Sequence, residues 1–519
     1  MDYSRRPFPR LLKDIKYEIQ GYAKSYGLDF YNVIFEVLDY AELNMVAAYG
    51  GFPTRYPHWR FGMEYEELSK SYAFGLSKIY ELVINNDPCY AYLLKSNSLV
   101  DQKIVMSHVF GHCDFFKNNY WFSKTNRKMM DEMANHGMRM RTYMDQFGYD
   151  RVETFIDACL SIENLIDPHS PFIARKRAVE NISDEEREKR RVEEFKAQKF
   201  TAKSYMDRFI NPPEILRREE EDAEKASDEM AGRFPAEPER DIMQFLLDNA
   251  PLKPWQQHIL GMIREEAYYF SPQGMTKIMN EGWASFWHSK IMTEKVCNDS
   301  EIIDFADHHS GTLGMRPGSL NPYKIGIELF RHIEDRWNRG KFGKEWEDCD
   351  DLNEKKRWNK KLKLGREKIF QVRKIYNDVT FIEEFMDQEF CDDQKLFVYG
   401  YNKETNEYVI LDRDHRKVKE QLLFVLTNFG QPYIYITDAN YKNRGELFLD
   451  HGHVGMDLKV TYAVETLKNM YKFWTRPVHL KTVVNEQEVI YSFDGKEIHE
   501  EVLSEADSEE TEQEEEETT

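Results

Sequence analysis

Two histidines four residues apart, His108 and His112 in His108-Val-Phe-Gly-His112, stand where one helical face would present both rings to a single ion. A second apolar stretch, Asn280-Glu281-Gly-Trp-Ala-Ser-Phe-Trp-His288, offers Glu281 and His288 seven residues apart, nearly two helical turns, and so again on one face. Two histidines from one helix and a glutamate from another make the ligand set of many zinc hydrolases. The same set suits other divalent ions, so zinc is one expected metal among several. The expected ligands are His108, His112, Glu281 and His288. In HExxH enzymes the residue after the first histidine is a glutamate that activates metal-bound water. Here it is Val109, which moves no proton. A base from elsewhere is needed, with Asp114 and Glu265 (or its neighbour Glu266) as the expected catalytic carboxylates. A structural metal, or plain hydrogen-bonded histidines in a polar core, is the alternative.

Other polar residues invite weaker readings. His136 in ANHG, with Glu153, Asp157 and Glu163 along the largely apolar helical stretch VETFIDACLSIENLID, resembles the composition of a bundle metal site. His308-His309 falls at an expected helix end. Asp450-His451-Gly-His453 places two histidines at i and i+2, which on a strand face the same way. Cys113 beside His112 is a weak thiol-nucleophile candidate. GxxxxGK[ST], GxGxxG and GxSxG are absent, which removes the common nucleotide and serine-hydrolase signatures.

The elements that must position these residues read mainly as helices. Apolar spacing predicts helix over 10–50, 64–84, 101–120 and 128–166, then from 241 through 252–270, 273–294, 322–337 and 352–386. The methionines at 129, 130, 133, 138, 140 and 144 read as adaptable core filler rather than a soft-metal site. GGFPTRYPHWRFG (50–62) breaks the helical pattern and is too rich in large side chains for a plain linker, so it is expected to pack across the core. Beyond 394, short Val/Ile/Tyr/Phe-rich runs predict strands, with helices near 414–428 and 462–474. The expected fold is α+β: a mainly α-helical N-terminal two-thirds, zincin-like in its ligand helices, then a small C-terminal α+β domain and a disordered acidic tail. The expected divisions are 1–167, a charged insertion at 168–240, a second helical part at 241–393 packing with the first, the α+β domain at 394–496 and the tail at 497–519.

The chain has 519 residues and a formal charge of −21. That balance argues against a nucleic-acid or anionic-membrane binder. Twelve acids and no Lys or Arg fall in 497–519, so the body is only mildly acidic. Six scattered cysteines without a CxxC pair are not a disulfide scaffold, and no run approaches the ~20 apolar residues of a membrane span. With no apolar signal stretch at the N-terminus, a cytoplasmic protein is expected.

Long strings then carry a resemblance. LDFYNVIFEVLDYAELNMVAAYGGFPTRYPHWRFGMEYEELSKSYAFGLSKIYELVINNDPCYAYLL (28–94), LVDQKIVMSHVFGHCDFFKNN (99–119), REEAYYFSPQGMTKIMNEGWASFWH (264–288) and NPYKIGIELFRHIEDRWNRGKFG (321–343) resemble the bacterial SpoVR family, stage V sporulation protein R. So does DRDHRKVKEQLLFVLTNFGQPYIYITDANYKNRGELFLDH (412–451). The resemblance implies a bacterial cytoplasmic protein linked to spore cortex formation, with a stress or starvation role in bacteria that do not sporulate. It implies a functional link to a PrkA-type serine kinase and a von Willebrand A-type domain protein. It carries no established reaction. Two readings follow: a metal-dependent helical enzyme, a diverged hydrolase, or a non-enzymatic factor that organises partners.

Overall fold

The computed structural model describes residues 8–73, 81–173, 234–315, 320–402 and 407–503. The fold is α+β, mainly helical toward the N-terminus with a small β-sheet domain at the C-terminus. It divides into two compact units, Met1–Thr154 with Glu265–Gln431, and Phe155–Arg264 with Pro432–Thr519. These units cut the chain differently from the expected divisions: 394–431 belongs with the first, and the helix Ile242–Asn249 with the second. Of the charged insertion, 174–233 lies outside the described residues.

In the first unit, helix Arg10–Ser25 is followed by strand β1 (Val33–Leu38), where a continuous helix was expected. Val33, Ile34, Val37 and Leu38 fit a helical face, but β-branched residues also fit a half-buried strand, and here pairing decides. Strand β2 (Glu81–Ile84) likewise replaces the end of an expected helix. β1 runs parallel and β2 antiparallel to the central strand β3 (Cys89–Leu94). The expected 128–166 helix is two, Met129–Phe147 and Tyr149–Leu160, broken at Gly148, whose φ of +92° suits glycine alone. Met129, Met133, Met140 and Met144 are buried, as core filler should be, while Met138 is exposed. Phe52 and Tyr56 of the 50–62 segment are also buried, so this loop does pack into the core, and its Trp59 begins the helix Trp59–Ala73. Strands β4 (Val398–Asn402) and β5 (Glu407–Asp412) form a hairpin followed by the helix His415–Leu426.

Three helices build the centre of this unit: Leu99–Asn118, which we call the His helix; Lys277–Ile291, the Glu helix; and Pro322–Arg339. The His helix starts at Ser98, whose hydroxyl accepts from the Asp101 N–H while the Asp101 carboxylate accepts from the Ser98 N–H. The Glu helix has no cap of its own. Its first N–H groups at Ile278 and Met279 donate to the two oxygens of buried Asp378, 2.8 Å each, a carboxylate brought from 100 residues away. Both helices bury nearly every side chain, and Val109, Phe110, Trp283, Trp287 and Phe330 fill one apolar cluster. Glycines let the backbones approach. A Cβ at Gly111 would lie 2.7 Å from the Ala284 Cα, and one at Gly282 would lie 2.4 Å from the Gly326 Cα.

In the second unit a five-stranded sheet has the order β10-β9-β8-β7-β6. Its strands are β6 (Ile434–Tyr441), β7 (Glu446–His451), β8 (Val478–Val484), β9 (Gln487–Phe493) and β10 (Ile498–Val502). β7 and β8 pair in parallel, and the helix Val460–Trp474 joins them, as a parallel connection requires. β10 falls inside the segment expected to be a disordered tail. Alternating Ile498, Glu500 and Val502 pair with β9, so that expectation is corrected for 498–502. The rest, 504–519, lies outside the described residues.

A candidate metal centre of two histidines and a glutamate

The His and Glu helices run antiparallel: His108 meets His288, and His112 meets Asn280. This brings three of the four expected ligands together. Among the described residues, His108, His112 and Glu281 form the one group whose ligand atoms all lie within 4.8 Å of one another. All three are buried. The Nε2 atoms of His108 and His112 lie 3.4 and 3.5 Å from Glu281 Oε2. A charge-assisted N–H···O bond is best near 2.7–2.9 Å, so these separations are long for a plain ion pair. Ligand atoms held tetrahedrally by bonds of about 2.0–2.1 Å sit about 3.3 Å apart.

The remaining atoms of the three side chains are occupied in the way metal ligands require. Glu281 Oε1 accepts from Lys277 Nζ at 2.8 Å, which leaves Oε2 for the histidines. Burial opposes the charge on Glu281, but the two imidazoles facing Oε2 and the Lys277 ammonium on Oε1 outweigh it and hold the carboxyl well below its usual range. His112 Nδ1 is 2.8 Å from Asn280 Oδ1, an oxygen that can only accept, so Nδ1 carries the proton and Nε2 is left with its lone pair.

His288 lies outside this group. Its Nδ1 lies 2.7 Å from His108 Nδ1 and its Nε2 lies 3.0 Å from His309 Nδ1, so both nitrogens are spent. Burial first, then the neighbouring histidines, holds its pKa well below the usual value, which keeps the ring neutral. The tautomer of His288 that donates Nε2–H to His309 accepts from His108 Nδ1–H, which is the His108 tautomer that an ion at its Nε2 requires. His288 therefore orients a ligand. His309 joins the site through it, whereas His308 pairs with Asp101 at 2.6 Å.

The structure gives both expected bases other partners. Asp114 is fully buried, accepting from the Asp29 N–H at 2.7 Å and Trp283 Nε1 at 2.8 Å, with Arg373 Nε 3.4 Å away. Burial pushes its carboxyl up to about 6 against these groups. Glu265 is half-exposed, 3.5 Å from His136 Nε2 and 3.3 Å from Asn126. Glu266 bonds His136 Nδ1 at 2.9 Å and Arg55 at 2.5 Å.

This second cluster of Arg55, His136, Glu265 and Glu266 was visible in the sequence only as separate residues. Arg55 sits in the GGFPTRYPHW loop, and its pairing with Glu266 ties that loop to the helix Pro254–Met275. Burial disfavours charge on His136, but bonds to Glu265 and Glu266 and their charges outweigh it and push its pKa up to about 9. A histidine raised in this way stabilises the fold fully below its unfolded value of 6.5 and loses that contribution as pH rises through about 9. The urea-unfolding midpoint should therefore fall between pH 6.5 and 9, and fall less in His136→Gln. Equal slopes in the two proteins would contradict the assignment.

The paired histidines of the second unit do not form a site. His451 Nδ1 bonds Thr482 at 2.8 Å, and His453, beyond the end of β7, bonds Asp457 at 2.9 Å. Among the described residues no helix is long and apolar enough to cross a membrane.

Comparison with known proteins agrees with this organisation. A family model described as SpoVR like protein matches residues 8–431, and one described as SpoVR-like C-terminal domain matches 432–485. The junction between them is also where the second unit resumes, at Pro432. A protein of Escherichia coli strain K12, "Uncharacterized protein YcgB", is 27% identical over 504 residues, covering 89% of this chain and 90% of that protein. No solved structure matches.

Proposed function

The chain belongs to the SpoVR family of sporulation-associated proteins, and from that premise we propose that it works through a divalent metal held by His108, His112 and Glu281. One observation carries the reading: three ligand atoms from two helices converge in the core at separations that suit one ion better than an ion pair. A site with three protein ligands keeps a position open, the pattern of catalytic rather than structural zinc. A bound divalent ion would supply Lewis acidity there. Hydrolysis, in the manner of a diverged zincin and in the service of spore cortex formation, is the reaction class this ligand set supports. Zinc fits two imidazoles and one carboxylate well. Elemental analysis of the purified protein and of His108→Ala tests the metal directly.

A second reading has its own observation. Val109 replaces the usual base, and Asp114 and Glu265 are engaged elsewhere. A chain that holds a metal without a base suits a structural site in a cytoplasmic factor that assembles with a serine kinase and a von Willebrand A-type protein. A pull-down from starved cells with the tagged full-length chain should then recover both. Recovery of neither, together with measurable hydrolytic turnover, would remove this reading.

A further inference from the structure

Residues 355–364, Lys355-Lys-Arg-Trp-Asn-Lys-Lys-Leu-Lys-Leu364, carry six bases and no acid in a chain whose formal charge is −21. They lead from the helix Leu352–Arg357 to the helix Gly365–Ile375, all within the first unit. The connecting loop is built rather than slack. The N–H groups of Lys360 and Leu362 donate to the carbonyls of Arg339 and Asn338, both at 2.8 Å. Trp358 Nε1 donates to the Gly340 carbonyl at 2.9 Å, and the Gly365 N–H donates to Asn338 Oδ1 at 2.9 Å. Within this frame Lys361 and Lys363 both take left-handed backbone conformations, with φ of +53° and +58°. Lysine has no local reason to adopt that region, and two alternating instances cost stability unless something else is gained.

The fold leaves most of these cations unused. Lys360 pairs with Glu345, and Lys355 lies 5.3 Å over the Trp346 ring. Lys356, Arg357, Lys361 and Lys363 are exposed and make no ion pair among the described residues. Of the acids that precede the loop, Asp351 turns its carboxylate onto the N–H groups of Asn353 and Glu354, at 2.7 and 3.3 Å. Over 335–368 there are twelve Lys or Arg against eight Asp or Glu. The negative total of the chain does not cancel this local excess, because exposed charges beyond about 8 Å are largely screened at physiological salt.

Apolar side chains alternate with the lysines. Leu362 and Leu364 are 42% and 41% exposed, on either side of Lys363. Single-stranded nucleic acid would ask for an aromatic face on which to stack. Trp358 offers none, since it is half-buried, its Nε1 is bonded inward and the Lys360 ammonium lies 5.0 Å over its ring. Exposed leucines set among exposed cations suit a partner that is anionic at its surface and apolar just beneath, which is the interface of a bilayer containing anionic lipid. Such docking needs no membrane-crossing helix. We propose that the 355–364 surface docks the chain peripherally on an anionic bilayer, with Lys356, Arg357, Lys361 and Lys363 at the headgroups and Leu362 and Leu364 in the interface below them.

Flotation of the full-length protein with large unilamellar vesicles tests this. Vesicles of about 40% phosphatidylserine in phosphatidylcholine should bind it about tenfold or more tightly than pure phosphatidylcholine does. Salt at about 1 M, where the screening length falls to about 3 Å, should release it. Changing Lys356, Arg357, Lys361 and Lys363 together to Gln should lower the affinity about tenfold or more. Leu362→Ser with Leu364→Ser should lower it about threefold with every charge kept, an effect that attraction between charges alone would not show. Circular dichroism of both variants should match wild type, since the substituted side chains are exposed. Equal binding to the two kinds of vesicle, or unchanged affinity in either variant, would overturn the proposal. So would a protein that uses these four cations to bind single-stranded DNA or polyglutamate while ignoring vesicles, since the surface would then belong to nucleic acid or to an acidic protein.

Discussion

On the proposed assignment the wild-type protein should bind one divalent ion per chain, and His108→Ala should bind none and lose the entire metal-dependent gain in stability. A ligand that binds only the folded state stabilises it by about 2.7 kcal/mol at a free concentration 100 times its Kd. Wild-type unfolding should therefore shift upward with added zinc and back with a chelator, while the variant stays flat. The apo variant should still fold. His108 is one of many buried side chains in its cluster, and removing it leaves His288 Nδ1 without its 2.7 Å partner, a loss of about 1–3 kcal/mol. His112→Ala and Glu281→Gln should behave alike, since one removes a converging nitrogen and the other the carboxylate charge. His288→Phe is the informative intermediate. It removes the ring that fixes the His108 proton but no ligand, so metal affinity should fall about 10–100-fold rather than vanish. Isothermal titration with zinc, paired with elemental analysis, separates these outcomes. If His108→Ala and wild type carry the same metal content, or if neither carries any after metal reconstitution, the metal reading is wrong.

The meeting of His108, His112 and Glu281 was legible because histidine pairs at i,i+4 and a lone glutamate in an apolar helix are costly unless they meet a partner. His288 lies apart from that group for a reason the helix itself supplies. Seven residues keep two side chains on one face but place them about 10.5 Å apart along the axis, too far to share an ion. His288 meets the other end of the His108 ring because the two helices run antiparallel, which spacing within either helix does not reveal. The partners of the expected bases were hidden in a similar way. Asp114 lies two residues past His112 and faces Trp283 and Arg373, and the residues that claim it come from 169 and 259 positions away. The 33–38 strand was hidden by an apolar spacing common to both periods. The small C-terminal sheet was readable strand by strand, but β9 and β10 were not. Glu488, Glu497, Glu500 and Glu501 give that stretch the composition of the acidic tail, and its strands exist through pairing, β9 on β8 and β10 on β9.

Gly326→Ala should be among the most damaging single-methyl additions in the first unit, although residue 326 touches no ligand. A Cβ there would lie 2.2 Å from the Ile278 carbonyl oxygen and 2.6 Å from the Gly282 Cα. Both are backbone atoms of the Glu helix, so no rotamer change relieves the contact and the two helices must separate. Overpacking of a close-packed interior costs about 1–3 kcal/mol, occasionally more. The Glu helix is held on its other side by Gly111 against Ala284 and at its start by Asp378, so it cannot simply slide away. Glu281 adjoins Gly282, and a displacement approaching 1 Å exceeds the tolerance of about 0.2 Å on metal–ligand distances. Gly326→Ala should therefore lower the urea midpoint of the metal-free protein and weaken zinc binding, whereas His108→Ala should abolish binding outright. Gly21→Ala is the control of opposite sign. It lies in the helix Arg10–Ser25 with nothing within 4 Å of the added Cβ, so it should stabilise by up to about 1 kcal/mol and leave zinc affinity unchanged. A Gly326→Ala protein with wild-type stability and zinc affinity would show that the close approach of these helices is not what places Glu281.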